Sequence, residues 1–198
     1  MSASTSTLAA PLGNALPPAT YATGRAAALE YARANGFAND DCFVEIGTQW
    51  GDMDANAHIN NVVPLRWLES GRGTFMRAAT AGLTSAEARN DLSGNGRGKG
   101  VIFGEVRYRY LRPIFHADNV LVLTDVRTVS PKTLTVRAVV FSYAQQQPVG
   151  TGEGVLFAYD YDAGKSAEWP QELVELMVQR GAEKVGFEGQ KAGSKAKL

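Results

Sequence analysis

The stretch GDMDANAHINN, residues 51 to 61, places Asp52, Asp54, Asn56, His58, Asn60 and Asn61 in one short segment between an alternating strand pattern and a long apolar helix pattern. A turn needs only one or two polar residues. Carboxylates, amides and an imidazole at alternate positions can hold a cation, cap a helix, or act on a substrate as base, nucleophile and orienting groups. Asp52, Asp54 and Asn56 match the opening of a calcium loop, but the glycine due at its sixth position is Ala57 and the glutamate due at its twelfth is Val63. A transition-metal site is no better supplied: His58 has only carboxylates nearby, and the other histidine, His116, falls in a distant turn. No metal and no cofactor is expected. Asn60 or Asn61 suits a helix cap, with Pro64 tolerated in the first turn. Capping leaves Asp54, Asn56 and His58 unexplained.

The elements that must position these residues are legible from periodicity. RAAALEYARAN, residues 25 to 35, predicts a short helix ended by Gly36. CFVEIGTQW, residues 42 to 50, predicts a strand with Val44, Ile46, Thr48 and Trp50 on one face. VVPLRWLESGRGTFMRAATAGL, starting at Val62, has Leu65, Leu68, Phe75, Met76 and Ala79 near helical spacing. Gly71 and Gly73 inside it each cost about 1 kcal/mol relative to alanine, so close packing is expected there. Residues 84 to 100 predict a polar loop; Gly100 stands where a phosphate-binding loop needs Ser or Thr, although Arg97 and Lys99 could touch a phosphate. Four strands are then expected from Val101, Val120, Thr133 and Val149, forming a meander. Gly150, Gly152 and Gly154 would leave a flat lane on the last of them. PQELVELMVQR predicts a surface helix with Pro170 in its first turn and Leu173, Leu176 and Met177 facing inward. One long helix and five strands form an α+β domain if the sheet curls around the helix.

Composition narrows the class. At 198 residues, 44% hydrophobic and 20% charged, the chain suits one globular domain. Residues 1–24, rich in small and hydroxyl residues and proline, are expected to lack fixed structure; residues 25–185 form the domain and 186–198 a flexible tail. Zero formal charge gives no global field toward nucleic acid or an anionic membrane, and no apolar run approaches the ~20 residues of a membrane span, so neither partner is expected. The single cysteine, Cys42, reads as a buried inert thiol. Ala196, Lys197 and Leu198 form a variant of the Ser-Lys-Leu signal read by the peroxisomal import receptor, so a peroxisomal location is expected, with cytoplasm or mitochondrion as alternatives.

WGDMDANAHINNVVPLRWLESGR resembles the signature of the 4-hydroxybenzoyl-CoA thioesterase-like hotdog family, with its pattern Asp-Met-Asp-x-x-Gly-His-x-Asn-Asn ahead of an apolar helix bearing a Glu. RYRYLRPIFHADNVLVLTDV resembles that family's second recurring segment, and the match covers roughly residues 42 to 160. Asp54-x-Asn56-x-His58 also resembles the Asp-x-Asn-x-His motif of plant acyl-carrier-protein thioesterases. Two departures stand out: the family's glycine or glutamine before the histidine is Ala57, and its tyrosine early in the helix is Pro64. The hotdog enoyl-CoA hydratase motif, Asp-x-Asn-Pro-x-His, fits less well, because the histidine comes one residue early and no proline precedes it.

The resemblance implies an antiparallel five-stranded sheet wrapped around one long central helix, a homodimer or dimer of dimers, and a thioester hydrolase acting on a fatty or aromatic acyl-CoA. An enoyl-CoA hydratase and a non-catalytic acyl-CoA-binding module are the alternatives. Asp54 is the expected nucleophile or general base, with Asn56 and His58 orienting it or a water. Amides around Ala57, Asn60 and Asn61 at the helix start would stabilise the thioester oxygen. Glu69 occupies the helical position where some hotdog thioesterases carry their catalytic carboxylate; a Glu69–Arg72 pair is the competing reading. Arg109, Arg112 and Lys132 are candidates for the CoA phosphates, and Trp67, Phe75 and Phe103 for an acyl tunnel.

Overall fold

The computed structural model describes residues 15–187. The elements run α1 (Pro18–Ala34), β1 (Val44–Gly47), α2 (Val63–Ala81), α3 (Ala86–Asp91), β2 (Lys99–Tyr110), β3 (Asn119–Val129), β4 (Thr133–Ser142), β5 (Gln147–Asp160), β6 (Lys165–Ser166), α4 (Gln171–Gln179) and β7 (Glu183–Lys184). The strands hydrogen-bond in the order β1-β3-β4-β5-β2, with β6 on β5 and β7 on β3. The class is α+β, and the five strands expected are present. The meander holds only for β3, β4 and β5: β2 pairs with β5 and becomes an edge strand. The reason is visible in the connection, because residues 111–118 are too many for the two- to five-residue loop of a tight hairpin.

The described chain packs as two compact units. The first comprises the described part of Met1–Gly71 with Tyr108–Thr124 and Ala138–Gly152. Its sheet is covered on both faces. Val120, Val122, Ala138, Val140 and Val149 meet Val63, Trp67 and Leu68 of α2, whereas Leu121, Leu123, Val139, Phe141 and Tyr143 meet Ala28 and Ala32 of α1. The period-two alternation of β3 thus feeds two apolar clusters, one for each helix. Both helices approach through a glycine. A Cβ at Gly24 would collide with Tyr143 Cβ, and one at Gly71 would stand 2.5 Å from Thr124 Oγ1.

A buried polar network fixes the end of β1. Thr48 N–H donates to Asp118 O at 2.8 Å, and Asp118 N–H donates to Thr48 Oγ1 at 2.8 Å. The Asp118 carboxylate accepts from Ser142 Oγ and from Ala144 N–H. Burial raises this carboxyl above the ordinary value, opposed by those hydrogen bonds. On the α1 side, Glu45 accepts from Tyr21 Oη and from Arg25 Nε at 2.6 Å. Desolvation and the Glu45 bond push Tyr21 up to about 12.

The second unit comprises Arg72–Arg107, Asp125–Arg137 and the described part of Glu153–Leu198. Phe75, Met76 and Ala79 of α2 are buried in it. The Arg72 guanidinium stands 3.6 Å from the Phe103 ring centroid, and that ring lies where a Cβ on Gly154 would project, 2.8 Å away. Thr84 N–H donates to Glu172 Oε1 at the start of α4, which lowers that carboxyl's pKa.

Several expectations are corrected. Helix α1 begins at Pro18 rather than Arg25, so part of the segment expected to lack structure is helical; proline is tolerated in a first helical turn, and the alanine-rich stretch extends backward from the expected start. Strand β1 spans only Val44–Gly47, because Trp50 enters a 3-10 turn and is 76% exposed. The polar loop contains α3, capped by Ser85 Oγ accepting from Ala88 N–H at 3.1 Å. In α4, Val174 is buried beside Leu173 and Met177 instead of Leu176, and Pro170 is the N-cap. Cys42 is buried, as expected. Residues 1–14 and 188–198, including Ala196, Lys197 and Leu198, lie outside the described residues. Among the described residues no helix is long and apolar enough to cross a membrane.

The two helix glycines separate cleanly. Gly71→Ala should cost about 1–2 kcal/mol through overpacking against Thr124. Gly73→Ala meets only Arg77 Nη1 at 3.5 Å and should stabilise by roughly 0.5–1 kcal/mol through helix propensity. Denaturant melts of the two variants check the opposite signs.

Candidate active site

Between β1 and α2 the chain folds back on itself, with Met53 and Ile59 forming an antiparallel bridge. Asp54 N–H donates to His58 O at 3.0 Å, and Ala57 N–H to Asp54 O at 3.0 Å. The tight return forces Ala57 to a φ of 59°, a region where alanine is strained and glycine is not. This is the position where the family resemblance expects a glycine, so the departure has a stated energetic consequence.

The loop is tied down at every side. Ile59 N–H donates to Ile114 O at 2.7 Å and Asn60 N–H to Asp52 O at 2.8 Å. Asp52, for which the sequence offered no role, closes the 3-10 turn: its Oδ2 accepts from Gln49 N–H at 2.9 Å in a reciprocal capping box. Asn60 starts α2. Its Oδ1 accepts from Val62 N–H at 3.1 Å, and its carbonyl accepts from Val63 N–H at 2.9 Å. Tyr110 Oη of β2 donates to Asn61 O.

These bonds redistribute the expected oxyanion donors. The amides of Ala57 and Asn60 are spent inside the loop. Among the described residues from Asp54 to Asn61, the N–H groups of Ala55, His58 and Asn61 carry no bond. His58 and Asn61 are the two of these nearest the start of α2 in the chain.

Asp54, Asn56 and His58 are brought together, though by different means. Asp54 Oδ1 accepts from Asn56 N–H at 2.7 Å, so Asn56 orients the carboxylate through its backbone while its side chain faces solvent. His58 Nδ1 stands 3.7 Å from Asp54 Oδ1, beyond hydrogen-bond length, with side-chain exposures of 37% and 22%. Asp54 Oδ2 has no partner among the described residues. A half-exposed carboxylate oriented through one oxygen and open at the other can attack a carbonyl or take a proton from water.

The remaining candidates are dispersed. Glu69 is exposed on α2, and Arg72, its proposed partner, is placed over Phe103. Arg109 is exposed at the end of β2. Arg112 Nη1 donates to Pro148 O at 3.1 Å, which fixes it to the start of β5. Lys132 lies in the β3–β4 turn of the second unit, where its N–H donates to Ser130 Oγ. Trp67 and Phe75 are buried in the core. The glycine lane on β5 is filled, not open: the Tyr108 ring covers Gly150 and the Phe103 ring covers Gly154. Aromatic side chains of a neighbouring strand fill the space a glycine leaves. Among the described residues no cluster of three or more His, Cys, Asp or Glu could hold a metal ion.

Sequence reasoning assigned no role to Asp52 and did not single out the contacts of Thr48, Asp118, Tyr108 and Tyr110. The signal for the last two was the alternation RYRY, which puts two phenols on one face of β2, their rings 4.6 Å apart.

The chain belongs to the thioesterase-like superfamily, whose family profile matches residues 48–177. Its fold is the hotdog fold of that family. A thioesterase-superfamily protein from Jannaschia sp. CCS1 shares it at 16% identity and a TM-score of 0.60, over 70% of this chain and 81% of that one. A thioesterase from Thermus thermophilus, solved with coenzyme A and zinc, does so at 21% identity and a TM-score of 0.54, over 69% and 91%. A DHNA-CoA thioesterase from Staphylococcus aureus does so at 19% identity and a TM-score of 0.52, over 64% and 78%. No curated protein matches the chain.

Ala57→Gly should relieve the positive-φ strain and stabilise the protein by about 1 kcal/mol. For a chain of this size that is a rise of roughly 2–4 °C in melting temperature, read by calorimetry.

Proposed function

We propose that the protein hydrolyses an acyl-CoA thioester, fatty or aromatic, to the free acid and CoA. Family membership supports thioester hydrolysis as the reaction class. The observation that carries the reading is the pairing of an oriented carboxylate, Asp54, with two amides left without acceptors beside α2, those of His58 and Asn61, on one closed loop. Asp54 either attacks the thioester carbon or draws a proton from the attacking water. As the carbonyl carbon becomes tetrahedral, its oxygen gains charge and the two N–H groups receive it. Each such donor contributes on the order of 10²- to 10³-fold. The C–S bond then breaks and CoA leaves as the thiol, taking the proton that Asp54 drew from water or, in the nucleophilic route, a proton from solvent; in that route a water then hydrolyses the Asp54–acyl anhydride and releases the free acid.

His58 closes the loop through its carbonyl and holds its ring near Asp54; Glu69, exposed on α2, is a second carboxylate available to substrate. Arg109, without a partner among the described residues, supplies a cation for the CoA phosphates, and Arg112 a partly engaged one. The solved Thermus thermophilus thioesterase, which holds coenzyme A, supports CoA as the thiol half. Assembly through β2 is part of the reading: β2 ends the strand order, and Val106, Tyr110 and Leu111 on and beside it are exposed.

Thiol release from a panel of acyl-CoAs tests the proposal. Wild type should release thiol, and Asp54→Ala should lower kcat by roughly 10²-fold or more. Equal rates for the two proteins would remove Asp54 from the mechanism. Hydration of an enoyl-CoA without thiol release, or tight binding without turnover, would replace the reading with a hydratase or a binding module.

A further inference from the structure

The apolar cluster under the start of α2 contains one polar atom without a partner. Ile59, Val63, Trp67, Ile114, Val122 and Val149 are among its members, with Met53 and Tyr108 packed against it. Met53 and Ile59 are the bridge residues that close the Asp54 loop. The hydroxyl of Tyr108 is buried there and has no hydrogen-bond partner among the described residues. Burial, and to a lesser degree the neighbouring Tyr110, raises its pKa, so the phenol stays a neutral donor at any working pH.

Two features show that this hydroxyl is positioned rather than stray. Tyr110, two residues along the same face, donates its own hydroxyl to Asn61 O at the catalytic loop, and the two rings pack edge to face. The Tyr108 ring lies across β5 at Gly150, where an added Cβ would collide with the hydroxyl oxygen. A phenylalanine would fill the same space without burying a donor. Buried polar groups in native proteins are almost always bonded, and an orphaned donor asks for an acceptor.

Resting on the thioesterase reading above, we infer that Tyr108 is a specificity-determining residue whose hydroxyl donates a hydrogen bond to an oxygen carried on the acyl chain, so that the preferred substrates are oxygenated acyl-CoAs. The thioester oxygen itself is served by the His58 and Asn61 amides. The acceptor for Tyr108 therefore lies further along the acyl group, within the apolar cluster. A site built to bond a substrate oxygen discriminates strongly against the analogue that lacks it, because its own donor is then left unpaired.

The test compares octanoyl-CoA with its 3-hydroxy and 8-hydroxy counterparts on wild type and Tyr108→Phe. In wild type at least one hydroxylated substrate should be preferred by kcat/KM, and Tyr108→Phe should lower that hydroxyl-to-alkyl ratio roughly tenfold or more. The melting temperature of the variant should hold or rise, since a buried unpaired hydroxyl is removed. An unchanged ratio, or a lower melting temperature with equal losses on all three substrates, would overturn the inference and make the hydroxyl a structural one. Should wild type release no thiol from any acyl-CoA, the thioesterase reading fails by itself. The inference is then decided by ligand-induced melting shifts with octanoic, 3-hydroxyoctanoic and 8-hydroxyoctanoic acids: a larger shift with a hydroxy acid, lost in Tyr108→Phe, sustains it, and equal shifts overturn it.

Discussion

Between β1 and α2 the backbone must reverse direction within a few residues and still find an acceptor for nearly every buried amide. It does so by bonding to itself: Asp54 to His58, Ala57 to Asp54, Asn60 to Asp52, and outward from Ile59 to Ile114. The rest of the site follows from this ring. Because Ala57 and Asn60 donate inward, the open donors beside α2 fall on His58 and Asn61. Because Asn56 N–H bonds one oxygen of Asp54, the other is left without a partner among the described residues. The reversal is tight enough to force a strained alanine, so part of the stability supplied elsewhere is used at the site.

That stability comes from the first unit's two-faced sheet. Residues of alternating parity on β3 are buried on opposite sides, under α2 and under α1. Helix α1 lies outside residues 48–177, the part that matches the superfamily, and it covers the second sheet face with its own apolar cluster. The buried Thr48–Asp118–Ser142 network then fixes the chain where it leaves β1 for the loop. A buried carboxylate is costly unless bonded, and Asp118 is held by several donors. Its placement at the root of the loop makes the start of the site a rigid point.

The sequence carried the local patterns well and the spatial ones poorly. Periodicity located α2 and the long strands because each buries one consistent face. The spacing of Asp54, Asn56 and His58 marked the candidate site, since no structural need explained all three. Gly71 was read as a close approach and is one. The position of β2 was misread because sequential strands usually pair; only the long 111–118 connection argued otherwise. Which amides were free could not be read from residue types, since Ala57 and Asn60 look as available as His58 and Asn61 until the loop closes. Asp52 had no visible role because its partner, the Gln49 N–H, is a backbone group. Tyr108 looked like one more strand aromatic, and its isolation is a property of the packed cluster.

Residue-resolved amide exchange of the loop, with and without a CoA ketone analogue that keeps the carbonyl and cannot be hydrolysed, tests this account most directly. In the free protein the amides of Ala57, Ile59 and Asn60 should be protected while those of His58 and Asn61 exchange rapidly. The analogue should then slow His58 and Asn61 selectively. Protection of His58 and Asn61 already in the free protein, or no change there on binding, would contradict the assignment of these two amides to the thioester oxygen.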